Sequence, residues 1–140
     1  MVWAPRDGVL FTGDLLFSGV VPLAVSGSVV GWLSALDWLA QFDAQHLVPG
    51  HGPLTDPRQT SIAARDYLRW LLDAVAGDGD PDYTGPEQQA RTRWPRWLDG
   101  ERHAVNLRVA HAELHGSRCD LHTALDAMRT AAGGVISLDL

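Results

Sequence analysis

Leu47-Val48-Pro49-Gly50-His51-Gly52-Pro53 is the stretch on which the reading of this chain turns. A short apolar run ends at a Pro-Gly break. One histidine follows between glycines, and a second proline closes the segment. Working outward, Val9-Leu10-Phe11-Thr12-Gly13-Asp14 has the same design, a β-type run that ends in Gly-Asp. Each run is read as a strand that delivers one metal-type ligand just past its end, Asp14 from the first and His51 from the second. A carboxylate oxygen and an imidazole nitrogen together suit Zn²⁺, and also iron or manganese. Loops at strand ends are where ligands collect, and the flanking glycines let the backbone turn sharply and approach closely.

The segments around these two runs supply the scaffold. Trp3 and Val9-Leu10-Phe11 flank Pro5-Arg6-Asp7-Gly8. Asp-Gly predicts a two-residue hairpin turn of type I′, with the second strand ending at Thr12. The first strand starts almost at once, so the chain reads as beginning mid-fold. Apolar residues at helical spacing predict a helix over 29–42 with Ser28 as N-cap, and Trp32 and Trp38 as core or interface aromatics. His46-Leu47-Val48 reads as a short buried strand that stops at Pro49, with His46 at its edge and not a ligand. Asp56-Pro57-Arg58-Gln59 predicts a helix start with Asp56 as cap, proline in the first turn and a capping box. That helix carries Ile62, Leu68, Leu71, Leu72 and Val75 and stops at Gly77.

Gly77-Asp78-Gly79-Asp80-Pro81-Asp82 is the linker-like stretch. It lacks the spaced oxygens and closing glutamate of a calcium loop. It divides the chain into residues 1–78 and 79–140. Beyond it the pattern is helical: a short helix over 86–93 ended by Trp94-Pro95, a helix capped by Asp99 and running to Gly116, and another capped by Ser117 and ending at Gly133-Gly134. Val135-Ile136-Ser137-Leu138 reads as a terminal strand or extended tail.

Composition bounds the function. With 46% apolar and 20% charged residues the chain is an ordinary soluble globular protein. A net charge of −6 argues against nucleic-acid and anionic-membrane partners. No apolar run approaches the roughly 20 residues of a membrane helix, and the first residues carry no signal-peptide pattern. A lone Cys119 allows no internal disulfide, so a cytoplasmic location is expected; Cys119 itself reads as a small buried residue. His103, His111, His115 and His122 read as surface or helix-end residues. His111 and His115 have metal-compatible spacing, but Glu113 stands one place late for His-Glu-x-x-His.

Phe11-Thr12-Gly13-Asp14-Leu15-Leu16-Phe17, then a helix, then Val48-Pro49-Gly50-His51-Gly52-Pro53 closely resembles the C-terminal half of metallo-β-lactamase-fold hydrolases. The resemblance covers about the first 80 residues, up to the linker. The later helices resemble, more loosely, the helical C-terminal extension of several branches of that superfamily. The fold implied is α/β (α+β): half of an αββα metallo-β-lactamase sandwich followed by a helical C-terminal extension. The resemblance also implies that Asp14 bridges two metal ions and that His51 binds the second, with Zn expected and Fe or Mn as alternatives. Asp14 is then the candidate catalytic residue as well as a ligand. The remaining ligands of that family come from a His-x-His-x-Asp-His motif and one further histidine in an N-terminal half, and this sequence contains no such motif.

Three functional expectations follow. The first is the C-terminal part of a metal-dependent hydrolase of ester, thioester, lactone or amide-type bonds in a small-molecule substrate. Alone it would be inactive, with the missing N-terminal half as partner. The second is a degenerate, non-catalytic binding domain of the same fold. The third is a homo-oligomer in which self-association assembles a shared metal site. The acidic charge makes nucleic acid the least expected substrate.

Overall fold

Asp7-Gly8 does turn the chain, but in a longer loop than the dipeptide predicts. Strand β1 (Val2–Ala4) pairs antiparallel with β2 (Val9–Phe17), matching Val2 to Phe11, Trp3 to Leu10 and Ala4 to Val9. The whole of Pro5–Gly8 is therefore loop. The Asp7 N–H donates to the Ala4 carbonyl (3.2 Å). A type I′ turn needs positive φ at both central residues. Here only Gly8 of the pair has it (+62°), so the loop is not of that type. This computed structural model describes residues 1–25, 27–77 and 82–134. The expected terminal strand over 135–138 and most of the linker, 78–81, lie outside the described residues.

Strand β2 does not stop at Thr12. It continues to Phe17 and pairs in parallel with β3 (His46–His51). Helix α1 (Val29–Leu39) forms the crossover between them, as a parallel pair requires. The sheet order is β1-β2-β3. The pairing is regular from Val9↔His46 to Phe11↔Val48 and then shifts twice. Gly13 faces Pro49 and Phe17 faces His51, so β2 spends Asp14, Leu15 and Leu16 where β3 spends Gly50. A bulge of this kind bends a strand and re-aims its side chains. Pro49 stands in β3, an outer strand of the described sheet, where proline is tolerated.

One face of the sheet is covered. Leu10, Thr12, Leu16 and Leu47 are buried there with Val29, Leu36 and Leu39 of α1. Helix α2 (Pro57–Ala74) adds Leu68 and Leu71 to the same core. Ile62, expected in that stripe, is instead 59% exposed. The other face is open: Val2 is 62% and its partner Phe11 44% exposed.

Helices α3 (Thr84–Arg93), α4 (Arg102–Leu114) and α5 (Leu121–Ala131) complete the described residues. Val105, Leu107, Ala110 and Met128 join the same apolar cluster as the sheet and α1, so residues on both sides of the linker share one core. The centre of that core is polar and aromatic. Tyr67 is fully buried against Trp70, Trp94 and Trp97. Its hydroxyl donates to Nδ1 of His103 (3.0 Å) and accepts from Nδ2 of Asn106 (2.9 Å). Asn106 also donates to the Pro22 carbonyl (2.6 Å) and accepts from the Ala24 N–H (2.9 Å). This network pins the loop after β2 to α2 and α4. His103 is thus an interior residue and not the surface histidine expected from sequence.

Candidate metal centre

Backbone geometry builds the site before any side chain does. The bulge in β2 and the end of β3 bring Gly13-Asp14 against Gly50-His51. A Cβ at Gly50 would lie 2.5 Å from Oδ1 of Asp14 and 2.7 Å from the Gly13 carbonyl oxygen. No side chain fits that gap. Gly52 has φ +88°, and a Cβ there would run into the Ser18 carbonyl. The Ser18 N–H donates to the His51 carbonyl (2.9 Å), which ties the strand ends together just beyond Asp14 and His51.

Asp14 Oδ1 and His51 Nε2 lie 3.4 Å apart. That separation is long for a charge-assisted hydrogen bond. Two ligand atoms bound at about 2.0–2.1 Å to one tetrahedral Zn²⁺ would themselves be about 3.4 Å apart. The donor pair therefore has the spacing of two neighbouring ligands on one ion. Both side chains reach solvent, Asp14 at 78% and His51 at 49% exposure. The His51 ring is held in place by Phe17, its register partner, which stacks on it at 4.9 Å with an interplanar angle of 7°. Phe17 in turn meets Trp32 of α1 edge-on at 6.1 Å, and the Trp32 indole N–H donates to the Leu15 carbonyl (2.8 Å).

The residue pair expected from sequence is thus brought together, but not in the expected way. Asp14 lies inside β2, in its bulge, and His51 is the last residue of β3 rather than a loop residue beyond it. The match runs through both of them. Residues 1–51 match the metallo-beta-lactamase superfamily. Comparison with curated proteins gives no match. A small mixed sheet with helices and a helical C-terminal part is consistent with a partial metallo-β-lactamase fold. Members of this superfamily generally bind metal ions.

Among the described residues no group of three or more His, Cys, Asp or Glu side chains is placed to hold a metal ion. Asp14 and His51 fit a metal as half of a ligand set, since a zinc site needs at least three protein ligands. Two of the remaining histidines contact each other. The rings of His111 and His115 lie 4.2 Å apart, tilted by 34°, and His115 Nδ1 contacts the His111 carbonyl (2.9 Å). Glu113, the residue one place late for a zinc motif, turns to the N-terminus of α1 instead. It accepts from Ser28 Oγ and from the Val29 N–H (2.6 Å). Cys119 is half-buried, and burial, with Asp120 beside it, pushes its thiol pKa up. That is the opposite of an activated nucleophile. Trp94 sits in the interior with Tyr67 and Trp70. Among the described residues no helix is long and apolar enough to cross a membrane.

Sequence reasoning missed Phe17 as the residue that positions His51. Its signal is present in the sequence: an aromatic residue three after Asp14. The two register shifts that bring it opposite His51 are not visible there.

Proposed function

We propose that this chain contributes the Asp14–His51 half of a metal-dependent hydrolase of ester, thioester, lactone or amide-type bonds. The observation that carries the reading is the 3.4 Å spacing of Asp14 Oδ1 and His51 Nε2 within a segment that matches the metallo-beta-lactamase superfamily. The other ligands come from a second polypeptide half that covers the open sheet face at Val2 and Phe11. Residues 1–78 provide the site, and residues 79–140 form the extension that braces it. Zinc is the first choice of metal by ligand chemistry, with iron and manganese compatible.

A bound metal ion would supply an activated water near neutral pH and polarise the scissile carbonyl. Asp14 and His51 would hold that metal. Asp14, with a second carboxylate oxygen open to solvent, would also take a proton from the attacking water. Phe17 keeps the His51 ring in one plane, and Gly50 leaves room for the carboxylate beside the strand.

Co-expression with a polypeptide carrying the His-x-His-x-Asp-His half of the fold tests this. The complex should retain metal through gel filtration and hydrolyse a thioester or aryl-ester reporter. Asp14→Ala should lower turnover by at least about 10²-fold, the usual weight of a metal-site or acid–base residue, and reduce the bound metal. A complex that keeps both its metal and its turnover without Asp14 would contradict the assignment. Metal retained only by a dimer of this chain alone would move the site to a pair of identical subunits.

A further inference from the structure

The end of α1 and the start of α2 stand over Leu10, Leu16 and Leu47 of the sheet. They leave a cleft of about 580 Å³. Sites for small organic ligands span roughly 300–1,000 Å³. Leu10 and Leu47, register partners near the starts of β2 and β3, lie at its floor, and Leu39, Phe42 and Ile62 line its sides. Phe42 is wedged between Trp3 and Trp38, with ring centroids at 5.8 and 5.1 Å. Two large apolar side chains here are left in water: Ile62 is 59% and the nearby Trp38 45% exposed. Exposed apolar surface beside a cleft marks a binding surface more often than an isolated exposed residue does.

The polar lining includes two arginines and one aspartate. Arg58 and Arg65 of α2 both line the cleft. Arg65 is paired with Asp37 of α1 at 2.6 Å. Asp56 also lines it, but Asp56 is occupied as the cap of α2, accepting from the Gln59 N–H at 2.8 Å. Arg58 has no ion pair among the described residues. A trough of aliphatic and aromatic side chains with one guanidinium that has no ion pair among the described residues matches a ligand with an alkyl body and one carboxylate, which a guanidinium grips through two parallel hydrogen bonds.

We propose that this cleft binds an aliphatic carboxylate, with its chain along Leu10, Leu39, Phe42 and Ile62 and its head group at Arg58. The site shares no residue with the Asp14–His51 pair and does not depend on a metal.

Titration of the chain with decanoate and with 1-decanol, followed by calorimetry and tryptophan fluorescence, tests this. Decanoate should bind saturably with one site per chain. Arg58→Gln should weaken decanoate about tenfold, the scale of one charge-assisted contact, and leave 1-decanol unchanged. Ile62→Asp should weaken both. Phe11→Ser, on the open face of the sheet, should affect neither. Arg58, Ile62 and Phe11 are all exposed, so these variants should keep the fold, which circular dichroism checks. The proposal is overturned if decanoate does not saturate, if Arg58→Gln leaves its affinity intact, or if Phe11→Ser rather than Ile62→Asp removes binding, which would place the ligand on the open sheet face.

Discussion

His103 shows most clearly what single residues contribute beyond the Asp14–His51 pair. It is buried beside Tyr67, and its Nδ1 is hydrogen-bonded to the Tyr67 hydroxyl (3.0 Å). Burial, assisted by the nearby Arg91 charge, lowers its pKa to about 4 from an ordinary 6.5. The unfolded chain therefore binds a proton between pH 6.5 and 4 that the folded chain refuses. The stability that neutral His103 contributes is complete above pH 6.5 and is lost as pH falls toward 4. The loss should reach at most about 3 kcal/mol. Urea unfolding across that window should show the drop in wild type and a flatter profile in His103→Asn, whose amide oxygen can still accept from Tyr67 but does not titrate. Sequence gives a partial signal for this residue: His103, Asn106, Leu107 and Ala110 stand on one helical face. Polarity argued for a surface position, because burial of a polar side chain depends on partners from other elements, here Tyr67 of α2. The close approach of Asp14 and His51 was legible for the opposite reason. Their glycine neighbours are required by close backbone contacts, and such requirements are written locally.

At the scale of elements, the best-read starts are those closed by a local cap. Ser28 accepts from the Gly31 N–H (2.7 Å) and Asp56 from the Gln59 N–H (2.8 Å), both as the sequence predicts. The later helices are capped elsewhere than expected. Asp120, not Ser117, caps α5, and Ser117 instead finishes α4 by donating from its N–H to the Ala112 carbonyl (2.8 Å). Asp99 takes a left-handed conformation (φ +57°) and pairs with Arg102 at 2.7 Å rather than capping α4. The N-terminus of α1 has a second, long-range cap in Glu113 of α4, whose carboxylate accepts from Ser28 Oγ and the Val29 N–H. A carboxylate at a helix N-terminus is also favoured by the helix dipole. Glu113→Ala should destabilise the protein by about 1–2 kcal/mol, as cap losses do, and Glu113→Gln by less. Thermal or urea midpoints read the difference. If Glu113→Ala unfolds at the wild-type midpoint, α4 does not hold α1 through this contact. Only tertiary structure reveals this cap, since Ser28 and Glu113 are distant in sequence.

At the scale of the whole molecule, the sheet is covered on one side and open on the other, and the bulged end of β2 meets the end of β3 at its rim. The parallel β2-α1-β3 unit could be read from sequence because each part carries its own periodicity. The bulge could not, because Leu15-Leu16-Phe17 continues the apolar pattern without a break. Leu98 and Arg102 are tied to the loop after β2. Val21 and Leu98 are joined by a backbone hydrogen bond (3.0 Å), Leu98 donates to the Gly19 carbonyl (3.0 Å), and Arg102 donates to the Val21 carbonyl (3.0 Å). Ser18, next in that loop, fixes the His51 carbonyl. The central claim is that Asp14 and His51 together form one half of a metal site. It is tested most directly by following the imidazole ¹⁵N signals of the six histidines while Zn²⁺ is added to the chain. The account predicts that His51 Nε2 responds first and that Asp14→Ala removes the response. A first response from His111 and His115, or a His51 response unchanged by Asp14→Ala, would contradict it.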